Sequence, residues 1–250
     1  MRKRVFSCAV VFMIAAGFAA AQKVKSKKEA EAVQAVQNAK TPDERVAAVD
    51  ALITKFADTQ FKSWALQMAA DAEQRKGDTV KALVYAQSAL DADANNYQAM
   101  LLMSGELARG TRENDLDKDE KLGKAEKLAN DAIAAVNSAA KPNPSLTDAQ
   151  WSDIKKDFVS QGHEDLGLIA TVRKKTDVAV AEYKTAVDGA SQPDPVVMAR
   201  LAAAYNQAGN HDEAIAVATK VLAMSDASDA VKRFAQNEKT RAEQAKNSHK

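Results

Sequence analysis

A chain of 250 residues that is 46% hydrophobic but only 5% aromatic takes much of its apolar content from alanine, which favours close-packed helices over sheets. Nine glycines and five prolines are too few for a disordered chain or a sandwich of many short strands, and a single cysteine excludes a disulfide framework. The 35 Lys and Arg nearly balance 34 Asp and Glu, which argues against a dedicated nucleic-acid surface. No run alternates apolar and polar residues with β-branched enrichment, so the expected fold class is all-α.

Residues 1–21 read as a secretory signal peptide. Arg2, Lys3 and Arg4 form a cationic start, Val5 to Phe18 an apolar core too short to span a bilayer, and Ala19-Ala20-Ala21 a cleavage site before Gln22. Cys8 lies inside the apolar run, too close to the cationic start for lipidation. Cleavage after Ala21 would lower 35 basic residues to 32 against 34 acidic ones, a net charge of −2, and place the product in the periplasm or outside the cell. The lysines that follow (Lys23, Lys25, Lys27 and Lys28) read as a solvated terminus.

Residues 22–60 read as a degenerate helical hairpin. Ala30, Val33, Ala35 and Val36 mark a helix over 26–39. Thr41-Pro42-Asp43-Glu44 is a start signal: Thr41 caps, Pro42 suits the first helical position, and Glu44 completes a capping box. The helix it opens carries Val46, Val49, Leu52, Ile53 and Phe56.

Residues 61–225 repeat a two-helix pattern over about 63–96, 97–140, 147–192 and 195–225. In the first, Leu66, Ala69 and Ala70 lead to a turn at Gly77 and then Ala82, Ala86, Ala89 and Leu90, with Glu73 standing where an apolar residue is expected. In the second, Met100, Met103, Ser104 and Leu107 lead to Gly110. An insert of roughly Thr111 to Leu122 follows, and then Ala125, Ala129, Ala132 and Ile133. Lys141-Pro142-Asn143-Pro144 stops that helix. Thr147 and Gln150 form another capping box, and Leu146 with Trp151 a hydrophobic staple. The third pattern opens with a long helix through Trp151, Ile154 and Phe158 to His163, Leu166, Gly167 and Ala170, partnered by Ala179, Tyr183, Ala186 and Val187. In the fourth, Met198, Leu201, Ala202 and Tyr205 precede the break at Gly209-Asn210, and Ala214, Ala218, Val221 and Leu222 follow it. Residues 226–250 add one capping helix, apolar at Val231, Phe234 and Ala235, and a tail.

The recurrence of Ala82, Ala125, Ala179 and Ala214 at the start of each second helix, with the turn glycines and the apolar stripes before them, resembles the tetratricopeptide repeat (TPR). The resemblance implies a right-handed α-solenoid of TPR-like helical hairpins and a binding scaffold. It also implies a concave face built from first-helix residues off the buried stripes. These are Trp64, Gln67, Asp71, Gln74 and Arg75; then Gln98, Leu101 and Arg109; then Glu164, Leu168 and Thr171; then Ala199, Ala203 and Asn206. The set of two asparagines and several lysines with which some family members clamp a terminal carboxylate is not among them.

Nothing else in the sequence organises into chemistry. His163 falls on a core position, His211 in a turn and His249 in the tail, with no metal-ligand spacing between them. Asp115, Asp117, Asp119 and Glu126 have the spacing of EF-hand calcium ligands, but Glu120 replaces the turn glycine, and the expected role is an acidic first turn. No nucleophile motif or phosphate loop is present. The sequence therefore predicts an exported, non-enzymatic protein with no cofactor or metal. Its expected partner is a protein or peptide, bound at the concave face in the cell envelope, and after cleavage it would have no membrane insertion. The rival classes are a self-assembling envelope component and, more remotely, an enzyme supported by the solenoid.

Overall fold

The computed structural model describes residues 24–248, so the signal-peptide segment at 1–21 and His249 lie outside the described residues. Eleven helices and no strand occur among those residues: α1 Lys27–Asn38, α2 Pro42–Lys55, α3 Lys62–Lys76, α4 Thr79–Ala92, α5 Tyr97–Gly110, α6 Lys118–Ser138, α7 Asp148–Val172, α8 Thr176–Gly189, α9 Pro195–Gln207, α10 His211–Ala223 and α11 Asp229–Ser248. No described helix is long and apolar enough to cross a membrane. The chain divides into two compact units, 24–106 with 130–154, and 107–129 with 155–248.

In the first unit, α1 packs on α2, α2 on α3 and α3 on α4. The core between them holds Val33, Val36, Val49, Leu52, Phe61, Trp64, Ala65, Met68 and Ala69. Val33 and Val36 are buried as expected, but Ala30 and Ala35 are exposed, because the third residue on the docking face of α1 is Glu29. Glu29 can be buried because the amide of Lys25 donates to it at 2.6 Å and the hydroxyl of Thr59 at 2.7 Å. Glu73 is also buried. Lys76 bonds it at 3.2 Å and pairs with Asp43 at 2.7 Å, so α2 and α3 share one ion network where the repeat pattern would place an apolar contact. Leu146 and Trp151 are both buried, as the staple requires, and Ile154 is buried beside them in sequence.

In the second unit, α8 packs on α9, α9 on α10, and α11 on both α9 and α10. One core gathers Ala170, Ala179, Tyr183, Ala186, Val197, Leu201 and Ala204, and the next Met198, Ala202, Ala218, Val221, Ala227 and Ala235. The α11 face that docks is Ala235 and Ala242; Phe234, expected to be apolar-facing, is 44% exposed. The insert after α5 is shorter than expected, since Leu122 already lies inside α6 and is fully buried against Ala108, Ala125 and Ile169.

Three hairpin turns close with the same Schellman hydrogen bonds. The amides of Asp78, Lys175 and Asn210 donate to the carbonyls of Glu73, Ala170 and Tyr205 at 3.0, 2.9 and 2.9 Å. The left-handed residue inside each turn is Gly77, Lys174 and Gly209, with φ of 80°, 60° and 79°. Lys174 is the one without a glycine's freedom, and its exposed ion pair with Glu113 offsets little of that strain. Lys174→Gly is therefore expected to stabilise the chain by about 0.5–1 kcal/mol in urea unfolding.

The four second-helix alanines Ala82, Ala125, Ala179 and Ala214 are all fully buried, which is what lets each helix pair approach closely. Side-chain volume is traded across that approach. The position four residues after the opening alanine is Ala86, Ala129 and Ala218 in three hairpins, but Tyr183 in the third. There alone the facing first helix carries Gly167, where an added Cβ would stand 2.6 Å from the Tyr183 ring. A second shared contact was not apparent from the repeat pattern. The hydroxyls of Ser63 and Ser160, at equivalent positions, donate to the carbonyls of Ala89 and Ala186 at 2.9 and 2.7 Å.

Candidate functional site

The expected concave-face residues of the first unit lie on α3 and α5. Trp64 is 8% exposed, edge-on to Phe61 with ring centres 6.4 Å apart, and Gln67 and Leu101 are 2% and 1% exposed. These three belong more to the core than to the surface. Gln67 donates to Asp71, and the Gln74 amide to Glu106 at 2.8 Å; Glu106 also accepts from the Thr79 hydroxyl at 2.9 Å. Arg75 is exposed and Gln98 half-buried. Desolvation pushes the half-buried Asp71 carboxyl up to about 6 from its ordinary 3.8, against the opposing pull of Arg75, Gln67 and Arg45.

That shift has a sign. The folded chain holds the Asp71 proton more tightly than the unfolded one. The contribution to stability is therefore full below about pH 4 and is lost as pH rises through about 6. Asp71→Asn is expected to stabilise by roughly 1–3 kcal/mol at pH 8 and by almost nothing at pH 4. Thermal melts at the two pH values check this, and equal effects at both would contradict it.

In the second unit, Arg109 is exposed and Leu168 half-buried, packed on the core around Leu122 and Ile169. Glu164 bonds Arg200, and burial raises its carboxyl above the ordinary range, with Arg200 opposing, Asp194 adding and Arg109 opposing. Asn206 is 6% exposed because α11 covers it: its amide donates to both the carbonyl and the carboxylate of Glu238 at 2.8 Å. Repeat register alone placed Asn206 on an open face; the capping helix occupies that face. Arg200, Glu106 and Glu238 are partners that the sequence reading did not single out, since each is defined by reach from a neighbouring helix.

His163, expected in the core, is half-buried and bonds Glu182 on α8 at 2.7 Å. Nδ1 of His211 lies 3.3 Å from the Asn206 side-chain oxygen. The acidic segment after α5 does not converge as calcium ligands would. Glu126 turns to Arg173 at 2.6 Å, Asp117 to Lys121 at 2.9 Å, and Asp115 accepts from the Arg112 amide at 2.9 Å. No group of three or more His, Cys, Asp or Glu among the described residues could hold a metal ion.

One concavity in the first unit brings two of the expected residues together. It is a cleft of about 700 Å³ where the start of α3, the end of α4 and the start of α5 meet, lined by Trp64, Tyr97, Gln98, Asn96, Asp91 and Asp93 among others. Its wall is braced: the Asn96 amide donates to the Ser63 hydroxyl at 2.9 Å, which in turn holds the Ala89 carbonyl.

Paired alanine-sealed helices with a shared turn motif define a helical-repeat protein. Compared by sequence, the chain matches no protein-family model and no curated protein. By structure it is similar to a thermophilic TPR protein from Thermus thermophilus, with TM-score 0.52 and 19% identity over 82% of this chain and 90% of that one. A tetratricopeptide repeat protein from Parabacteroides merdae also matches, with TM-score 0.40 and 16% identity over 88% and 90%. The fold is the tetratricopeptide repeat fold.

Proposed function

We propose that this chain is an exported, non-enzymatic scaffold that binds a protein or peptide partner in the cell envelope. The fold supports the coarser part of this reading, a protein-interaction scaffold. The leader-like pattern at residues 1–21 supports the finer part. The observation that carries the binding surfaces is the set of helix-face residues that stay accessible in each unit: Arg75 exposed with Asp71, Gln74 and Gln98 half-buried in the first, and Arg109 exposed with Glu164 and Leu168 half-buried in the second. Trp64, Gln67 and Leu101 are buried beneath the first of these faces, and Asn206 is covered by α11.

Capture of partners from envelope extract by the tagged chain tests the proposal. Wild type is expected to retain a partner, at a mass consistent with loss of residues 1–21. Arg75→Glu and Arg109→Glu are expected to weaken retention about tenfold while helicity stays unchanged. Retention unaffected by both variants would contradict the surface assignment, and turnover of hydrolase substrates that His163→Ala abolishes would contradict the non-enzymatic reading.

A further inference from the structure

The cleft between α3, α4 and α5 has a chemistry of its own. Its size lies in the range of roughly 300–1,000 Å³ usual for ligand clefts. Its lining residues include Asp58, Asp91, Asp93 and Lys62; Lys25 pairs with Asp58, so the acidic excess is at Asp91 and Asp93, and the aromatic rings are Trp64 and Tyr97. Burial pushes the Tyr97 hydroxyl up to about 12 from its ordinary 10, and the ring is neutral at pH 7 with or without that shift.

The carboxylates are held by local bonds. One oxygen of Asp91 accepts from the Gln87 amide at 3.0 Å and one of Asp93 from the Asn95 backbone at 2.9 Å, which leaves the second oxygen of each for a ligand. The Asn96–Ser63–Ala89 chain fixes the wall before anything binds, so little ordering is needed on association. The molecule itself shows how a lysine seats on the rim: Nζ of Lys25 bonds the Asp58 carboxylate at 2.6 Å and the Asp58 carbonyl at 3.0 Å.

We infer that this cleft is the docking site for an extended, lysine- or arginine-bearing segment of the partner. The cation would lie against the half-buried Tyr97 ring, above the buried Trp64, with Asp91 and Asp93 as its counter-ions, and the side-chain amide of Gln98 would take a main-chain hydrogen bond. The inference rests on the scaffold reading and names the partner's chemistry at one site.

The test uses the chain from Gln22 onward carrying Trp151→Phe, which leaves Trp64 as the only tryptophan. It is titrated with acetylated hexalysine and, separately, with hexaglutamate. A saturable change in Trp64 emission is expected with hexalysine alone. Asp91→Asn with Asp93→Asn should weaken it about tenfold, as the loss of two partly exposed ion pairs implies. Hydrogen exchange at Tyr97–Met100, read in the same titration without Trp151→Phe, should slow on binding, so the result does not depend on fluorescence alone. No saturable response by either readout, or equal affinity in the Asp-to-Asn variant, would overturn the inference. Envelope capture that still depends on Arg75 would in that case leave the scaffold reading standing.

Discussion

Gly167→Ala is expected to destabilise the second unit by about 1–3 kcal/mol, although alanine is the better helix former by about 1 kcal/mol. The reason is the Tyr183 ring, whose Cδ1 and Cε1 would each lie 2.6 Å from the new methyl group. Tyr183 is 2% exposed and sits among Ala170, Ala179, Ala186 and Leu201, so the ring has little room to yield. Its hydroxyl lies 3.3 Å from the Thr171 hydroxyl, a further restraint. Tyr183→Ala alone should cost about 3–5 kcal/mol through the cavity it opens. The double variant restores the small-against-small pairing of the other hairpins, and adding Gly167→Ala to Tyr183→Ala should be neutral or stabilising. A double-mutant cycle by urea unfolding reads this coupling directly, and simple additivity would contradict it.

The second large effect concerns the N-terminal hairpin. Glu29→Ala is expected to cost about 2–3 kcal/mol, felt mainly as loss of α1 from the first unit. The Glu29 carboxylate is 1% exposed and takes the Lys25 amide and the Thr59 hydroxyl, while the Thr59 hydroxyl itself accepts from the amide of Phe61 at 3.3 Å. That chain of bonds ties α1 to the turn from which Phe61, itself buried, enters the core. Removing the carboxylate leaves the buried Thr59 hydroxyl and the part-buried Lys25 amide unmet. Glu29→Gln keeps one acceptor oxygen, enough for one of the two donors, and should cost about half as much. Trypsin susceptibility at Lys27 and Lys28 is the readout: cleavage should accelerate several-fold in Glu29→Ala, and an unchanged rate would show that α1 is held by its apolar contacts alone.

Both cases show where the sequence was legible and where it stopped being so. The start of α2 at Pro42, with its Thr41–Glu44 capping box, the left-handed turn at Gly77, and the Thr147–Gln150 bonds before the long helix α7 were readable because each depends on residues within one turn of the chain. The buried alanines were readable because they recur. What could not be read was any position whose environment is supplied by a different helix. Asn206 fits an open-face position until Glu238 of α11 covers it, and Glu73 breaks the apolar pattern although Lys76, three residues on and held by Asp43 of α2, pairs with it. His163 left the expected core because Glu182 on α8 provides a carboxylate at its ring. Likewise the cleft is made by three helix ends that no local pattern links, although Trp64 and Gln98 were already placed on the binding face.

Native-state hydrogen exchange, resolved helix by helix, tests most directly whether each hairpin is sealed by its neighbours. In such an array stability is a sum of local terms, and the end elements, with a neighbour on one side only, open first. Protection is expected to be highest in α3–α4 and α8–α10 and to fall off in α1 and α11. A single opening energy shared by every helix, with α1 and α11 as protected as the rest, would contradict it.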